Sequence, residues 1–276
     1  MRRAVILSVA ALVFAPRPAA AEPPVAREGA SLMPPGAWSI GLLSPARLGL
    51  SEALELDTQA LSWLLLSPNA EVRLKLGGAG SWLFASTYGL SLPTGAMRLT
   101  QGVLFPTWET SRQRPGWVLV PSLGVLASSG PRDAATLLTF HFETALGVPL
   151  NDRVATPLET YAPVELLFAP ALTGLRTRAG ANGSHALGTV VRARVLAEAL
   201  TMGRRTDVAR SPLVFHGALA LEFAIGRRIA VELSGHVYES DQHRTQLVDA
   251  GDGTVRRERV RSVDVFPSLD VIVRGP

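Results

Sequence analysis

The chain has 276 residues, 47% of them hydrophobic and 18% charged, yet it holds no run of about 18 apolar residues, so a bundle of membrane-spanning helices is excluded. The absence of cysteine excludes a disulfide framework, a thiolate metal site, a thiol nucleophile and an acylated lipoprotein cysteine. With 27 basic against 23 acidic residues and no basic patch interleaved with aromatics, nucleic acid is not an expected partner.

The first 21 residues read as an export signal. "MRRAVILSVAALVFAPRPAAAEPP" begins with Arg2 and Arg3, continues through an apolar segment from Ala4 to Ala15, and ends in the small residues Ala19, Ala20 and Ala21, with cleavage expected after Ala21. Removing residues 1–21 takes three arginines away, so the formal charge of +4 falls to about +1. Residues 22–36, "EPPVAREGASLMPPG", are Pro-rich and are expected to be a flexible lead. The remainder, 37–276, reads as one β domain.

Within it, segments of period-two alternation follow one another, broken by Gly, Pro, Asn, Asp and Ser clusters, and no sustained helical period is seen. Candidate strands are 37–43, 46–50, 54–66, 70–76, 81–92, 117–127, 134–148, 158–172, 187–200, 212–225, 229–240 and 263–274, about twelve in all, with ten to fourteen as the range. Connections at "SPN" (67–69), "GGAG" (77–80) and "GRR" (226–228) are tight. Those at 93–116, 173–186, 201–211 and 241–262 are long and polar, and the last of these can extend its flanking strands to a turn at Gly251, Asp252 and Gly253. An even strand count puts "TGLRTRAGANGSHA" (173–186) at the end where turns should be short, an inconsistency that marks a miscounted strand or an unusual turn.

Alternation alone does not say which face meets which solvent. In "LVFHGALALEFAI" (213–225), Leu213, Phe215, Leu219, Leu221, Phe223 and Ile225 share one face, whereas the other is mostly alanine with His216 and Glu222. Alanine with an occasional charge is a poor coat for a soluble protein and a good lining for a narrow barrel. Segment 134–148 repeats the pattern, with Leu138, Phe140, Phe142, Leu146 and Val148 against Thr139, His141, Glu143, Ala145 and Gly147. Trp38, Trp82 and Trp117 at strand starts, and Tyr161 and Tyr238 near strand ends, suit an aromatic girdle.

In these patterns the chain resembles bacterial outer-membrane β-barrel proteins, from its signal segment to Gly275, without the motif of a characterised subfamily. It departs from them at "DVFPSLDVIVRGP", which lacks the usual terminal aromatic. The resemblance implies a single antiparallel up-and-down transmembrane barrel in the outer membrane, in contact with lipid and with the barrel-assembly machinery.

With Leu, Phe and Val turned to lipid, the inward face collects Glu55, Asp57, Glu71, Arg73, Lys75, His141, Glu143, Arg192, Arg194, Glu198, His216, Glu222, Glu232, His236, Asp264 and Asp270. Of these, Glu143, Arg192, Arg194, His216, Glu222, Glu232 and His236 are the candidate lumen-lining residues. Keeping the faces in phase across 213–240 needs a three-residue loop, 226–228, which pairs Ile225 with Ile229 and sets Glu222 opposite Glu232. Facing carboxylates repel, so a cation is required between them, with Arg192 and Arg194 on the preceding strand as candidates. Such charges either fill a small barrel with ion pairs or line a pore for a small polar solute.

Two stretches carry residue types suited to hydrolysis, "HFE" with His141 and Glu143, and "SGHVYES" with Ser234 and His236, though with no diagnostic spacing. His185 and His243 fall in loops. No phosphate loop or metal-ligand pattern is present and no cofactor is expected; "GDG" (251–253) reads as a turn. The first reading is a non-enzymatic outer-membrane barrel, a narrow porin-like channel or a structural barrel. The others are a barrel hydrolase of envelope lipids with His141 or His236 as base, and a soluble periplasmic barrel holding an apolar ligand.

Overall fold

The alternating segments close into a cylinder. The structure, a computed structural model, describes residues 26–104, 115–151, 162–203, 212–249, 251 and 253–275. Its first five strands are β1 (Trp38–Gly41), β2 (Ala46–Ser51), β3 (Leu54–Thr58), β4 (Asn69–Ala79) and β5 (Trp82–Ser91). There follow β6 (Val118–Ser128), β7 (Thr136–Leu146), the two-residue β8 (Val148–Pro149), β9 (Leu175–Ala186), β10 (Val191–Met202), β11 (Leu213–Ala224), β12 (Ile229–Asp249) and β13 (Val255–Gly275). Twelve of these form one antiparallel up-and-down ring, with β13 paired back onto β1 and only β8 outside it, as an addition to β6.

The two ends of the cylinder differ. Where β1 starts and β13 finishes, the connections 52–53, 80–81, 129–135, 187–190 and 225–228 are short. One of the two tightest, 80–81, uses Gly80 at φ +60°, a conformation that a side chain would strain. The opposite end carries the long segments 59–68, 92–117 and 147–174, with helices α1 (Ala60–Leu64), α2 (Thr94–Leu99) and α3 (Ala162–Thr173). There β12 and β13 also run past their neighbours, since β11 pairs with β12 only as far as Phe215 opposite Glu239.

Two sequence expectations are corrected by this topology. The described part of segment 158–172 is not a strand: residues from Ala162 on form α3, with Pro163 in the first turn, where its missing N–H costs nothing, and Leu166, Ala169 and Leu172 on the buried side. The supposed loop 173–186 is instead a wall strand, β9, paired over eleven residues with β7 and eleven with β10. Its outward residues between Leu175 and His185 are Thr177, Ala179, Ala181 and Gly183, too small to make an apolar face legible, and the two ladders hold it in place. The errors cancel, so the count of twelve stands and every long connection falls at one end. Likewise 54–66 is a five-residue strand followed by α1.

Large apolar side chains point out of the ring: Phe140, Phe142, Leu219, Leu233, Val265 and Val271 are all exposed. Trp38 and Trp82 lie at the short-turn end and Trp117 at the long-loop end. Tyr238 leaves the expected girdle, because β12 extends to Asp249 and places it mid-strand, facing inward against His216. Tyr161 lies outside the described residues.

Inside the long-loop mouth, α3 seats Leu166 and Ala169 against Leu200, Met202 and Val214. Phe168 and Leu172 of α3 pack on Ala96 and Met97 of α2. Gly147 and Gly203 admit this helix, since a Cβ at either would run into the carbonyl of Pro170 or Thr173.

Candidate functional site

The short-turn half of the lumen is filled by a segment expected to be a free lead. Of residues 22–36, those from Ala26 to Met33 lie inside the barrel, with Ala26, Arg27, Ala30 and Met33 buried. Hydrogen bonds tie the segment across the lumen: Ala26 N–H to the Arg132 carbonyl at 2.8 Å, Ala30 N–H to Ser128 Oγ at 2.7 Å, and Met33 N–H to Glu55 Oε2 at 2.6 Å. The expectation of a flexible lead is therefore corrected for these residues: their backbone donors find partners inside the ring, and their charges meet opposite charges there.

Those charges answer the problem posed by Glu222 and Glu232, which are register partners across the β11–β12 hairpin. Arg27 bridges the two, with Nε 3.4 Å from Glu222 and Nη2 bonded to Glu232. Arg194 joins Glu232 to Glu28, and Arg274 bonds Glu222. Arg192, opposite Glu222 in the ladder, donates to Ser184 Oγ at 3.0 Å and to the Ala134 carbonyl at 2.9 Å. Nearby, Asp57 takes Arg73 at 2.9 Å and Arg47 at 3.4 Å, while Glu143 accepts from Arg176 and Arg178 at 2.7 and 2.5 Å. Buried carboxylates out of water are tolerable only with such partners.

Higher in the barrel, one ladder row runs His141, Gly180, Glu198, His216, Tyr238, Asp264 across six adjacent strands. Because Gly180 has no side chain, His141 reaches over β9 to Glu198, with Nε2 to Oε2 at 3.0 Å. A Cβ at position 180 would lie 2.5 Å from that of Glu198. Glu198 Oε1 also accepts from His216 Nδ1 at 2.6 Å. His216 Nε2 faces His236 Nδ1 at 3.1 Å, and His236 Nε2 faces Ser234 Oγ at 3.0 Å and Ser268 Oγ at 3.4 Å. The Tyr238 ring lies parallel to His216, with centroids 4.2 Å apart. Beside this cluster is a cavity of about 600 Å³, lined among others by Arg178, Arg194, Leu196, Ser234, His236 and Phe266.

Charge and imidazole inside, with Leu, Phe and Val outside, invert the arrangement of a soluble barrel. The chain has the architecture of a bacterial outer-membrane β-barrel. No protein-family model matches the sequence, and no curated protein matches it. Among solved structures it is similar to outer-membrane expressed OmpT of Vibrio cholerae, at 8% identity and a TM-score of 0.43, over 84% of this chain and 64% of that one. For the in-vitro folded form of that protein the values are 10%, 0.43, 86% and 64%, and for its trimer form 8%, 0.41, 86% and 63%. The chain thus spans less than two thirds of the length of those proteins, and a likeness at this level says nothing of activity.

Within this barrel, Glu143, Arg192, Arg194, His216, Glu222, Glu232 and His236 all project inward, but they divide into three groups. Arg192, Arg194, Glu222 and Glu232 belong to the packed charges around residues 26–33; His216 and His236 belong to the row beside the cavity. Glu143 pairs with the arginines of β9. Arg27, Glu28, Arg274 and Ser268 were not found from sequence. The first two sit in a stretch with no periodicity, and the others become partners only through the register of β13. His185 is on β9, facing outward with Nδ1 2.7 Å from Thr136 Oγ1. The side chain of His243 lies outside the described residues. Among the described residues no group of His, Asp and Glu is arranged to hold a metal ion.

Proposed function

We propose that the protein is an outer-membrane barrel closed at rest, a structural or gated barrel and not a constitutive pore. One observation carries this: residues 26–33 cross the lumen and are fastened to β3, β6, β11 and β12 on different sides of the ring. The apolar packing of α2 and α3 in the opposite mouth supports the same reading. On this reading the exposed Leu, Phe and Val side chains face lipid, residues 1–21 direct export and are removed after Ala21, and the assembly machinery inserts the barrel. A small polar solute could pass only after residues 26–33 leave the lumen.

The test is the conductance of the mature protein, purified in detergent and reconstituted in a planar bilayer. A quiet baseline is expected from protein that still shows heat-modifiable mobility, with current steps gained on deletion of residues 22–36. Steady open-channel steps from the intact mature chain would refute closure.

A further inference from the structure

A carboxylate can only accept hydrogen bonds, and this fixes the direction of the whole chain that starts at Glu198. His216 must donate from Nδ1 to Glu198 Oε1 at 2.6 Å, which leaves Nε2 of the neutral ring as an acceptor. That nitrogen receives Nδ1–H of His236 at 3.1 Å, leaving His236 Nε2 without a proton. The unprotonated nitrogen faces the hydroxyl of Ser234 at 3.0 Å. One buried acid thus selects the tautomer of two imidazoles, and the second is poised as a base on a serine. His141, donating to the other oxygen of Glu198, holds that carboxylate in place.

We propose that Ser234 and His236 are the nucleophile and general base of an esterase site inside the barrel, acting on carboxylic esters with an apolar acyl chain. The cavity beside them has room for such a group, and Leu126, Leu196, Pro163 and Phe266 give it an apolar side. Its lining also includes Leu43, Ser44 and Pro45 of the β1–β2 turn. There the wall is lowest: β1 to β3 are four to six residues long, and the β1 ladder on β13 stops at Ile272, leaving Phe266 and Ser268 above that rim. A substrate entering over this rim comes from the lipid phase. Arg194 shares the ladder row of Ser234, with only Ala220 between them, and its guanidinium, paired with Glu28 and Glu232, belongs to the wall of the same cavity.

The chemistry balances with water as the co-reactant. Ser234 Oγ bonds to the carbonyl carbon as its proton passes to His236 Nε2 and the carbonyl π pair moves onto oxygen. Collapse of that intermediate breaks the C–O bond, and the departing alkoxide takes the proton from His236 to leave as the alcohol. Water then attacks the acyl-serine, giving a proton to His236 that returns to Ser234 Oγ as the carboxylic acid leaves. Glu198 and His216 are positioning residues, which hold the tautomer and offset the charge of the transient imidazolium.

The activity is additional to the closed-barrel reading and is tested apart from it, because covalent labelling does not depend on ion flow. Mature protein in detergent, shown to be folded by heat-modifiable mobility, is treated with an octyl fluorophosphonate, and the adduct is located by peptide mass spectrometry. One adduct per chain is expected, on Ser234, absent from Ser234→Ala and formed at least about 100-fold more slowly in His236→Gln. Folded Glu198→Gln should label slowly and Glu198→Asp recover part of the rate, whereas a residue needed only for packing would show no such split. With p-nitrophenyl esters, octanoate hydrolysed faster than acetate supports entry from lipid; acetate preferred overturns the apolar-acyl assignment. Folded wild-type protein that takes no adduct, or an adduct that persists in Ser234→Ala, overturns the site itself. Should Ser234→Ala fail to fold, the His236→Gln rate decides alone.

Discussion

The two ends of the lumen are closed by opposite means. At the short-turn end the plug is residues 26–33, held by charge: Arg27 stands between Glu222 and Glu232, and Glu28 meets Arg194. At the long-loop end the closure is α3, held by Leu166, Phe168, Ala169 and Leu172 against apolar partners, with Arg176 donating to the Leu166 carbonyl at 3.1 Å. Ion pairs out of water are strong only while complete, and losing one member strands the other. Apolar packing loses stability in proportion to what is cut away. The charged end should therefore fail abruptly and the apolar end by degrees.

The sharpest test removes the shared cation. Arg27→Ala leaves two carboxylates facing each other with less compensation and should cost about 3–5 kcal/mol, read from urea unfolding in lipid vesicles. Replacing both Glu222 and Glu232 by Gln in the Arg27→Ala background should recover much of that loss, whereas recovery would not occur if Arg27 acted through its aliphatic stem alone. At the other end, Met97→Ala should cost about 2–3 kcal/mol and leave amide exchange in residues 26–33 unchanged. Between the two, Gly180→Val should cost about 1–3 kcal/mol by forcing Glu198 aside, and it should also abolish serine labelling while the barrel still folds. The smallest effect is that of salt. Raising it to 1 M should speed exchange of the Ala26 and Ala30 amides and leave that of Met97 as it was. Equal acceleration at both ends would remove the distinction between them.

The register of the β11–β12 hairpin was legible in sequence because both its faces are distinct and its loop length is forced by them, so the Glu222–Glu232 pairing followed from counting. The inward position of the charged residues was legible for the same reason. Segment 173–186 was not, because a strand built of Gly, Ala, Asn and Ser carries no apolar face and is held by its neighbours' ladders. Without it, the row from His141 through Gly180 to Glu198 could not be drawn, so the histidines stood as isolated residues near carboxylates by chance. Residues 26–33 were illegible for another reason. A chain crossing a lumen has no repeating environment, so no period records it, and the binding of Arg27 by the paired carboxylates, one of them 205 residues further along the chain, is visible only in the folded ring.

Beyond Ser240, among the described residues, β12 and β13 are ladder-paired only with each other, over a ribbon roughly 30 Å long at the strand rise of about 3.3 Å per residue. Among the described residues no other wall strand is ladder-paired to this ribbon, so a change of length at its tip leaves the pairing of the ring as it is. It is the part of the molecule where variation between strains can accumulate at little cost, and where an inserted epitope near Gly251 and Gly253 would report which side of the membrane the long loops face.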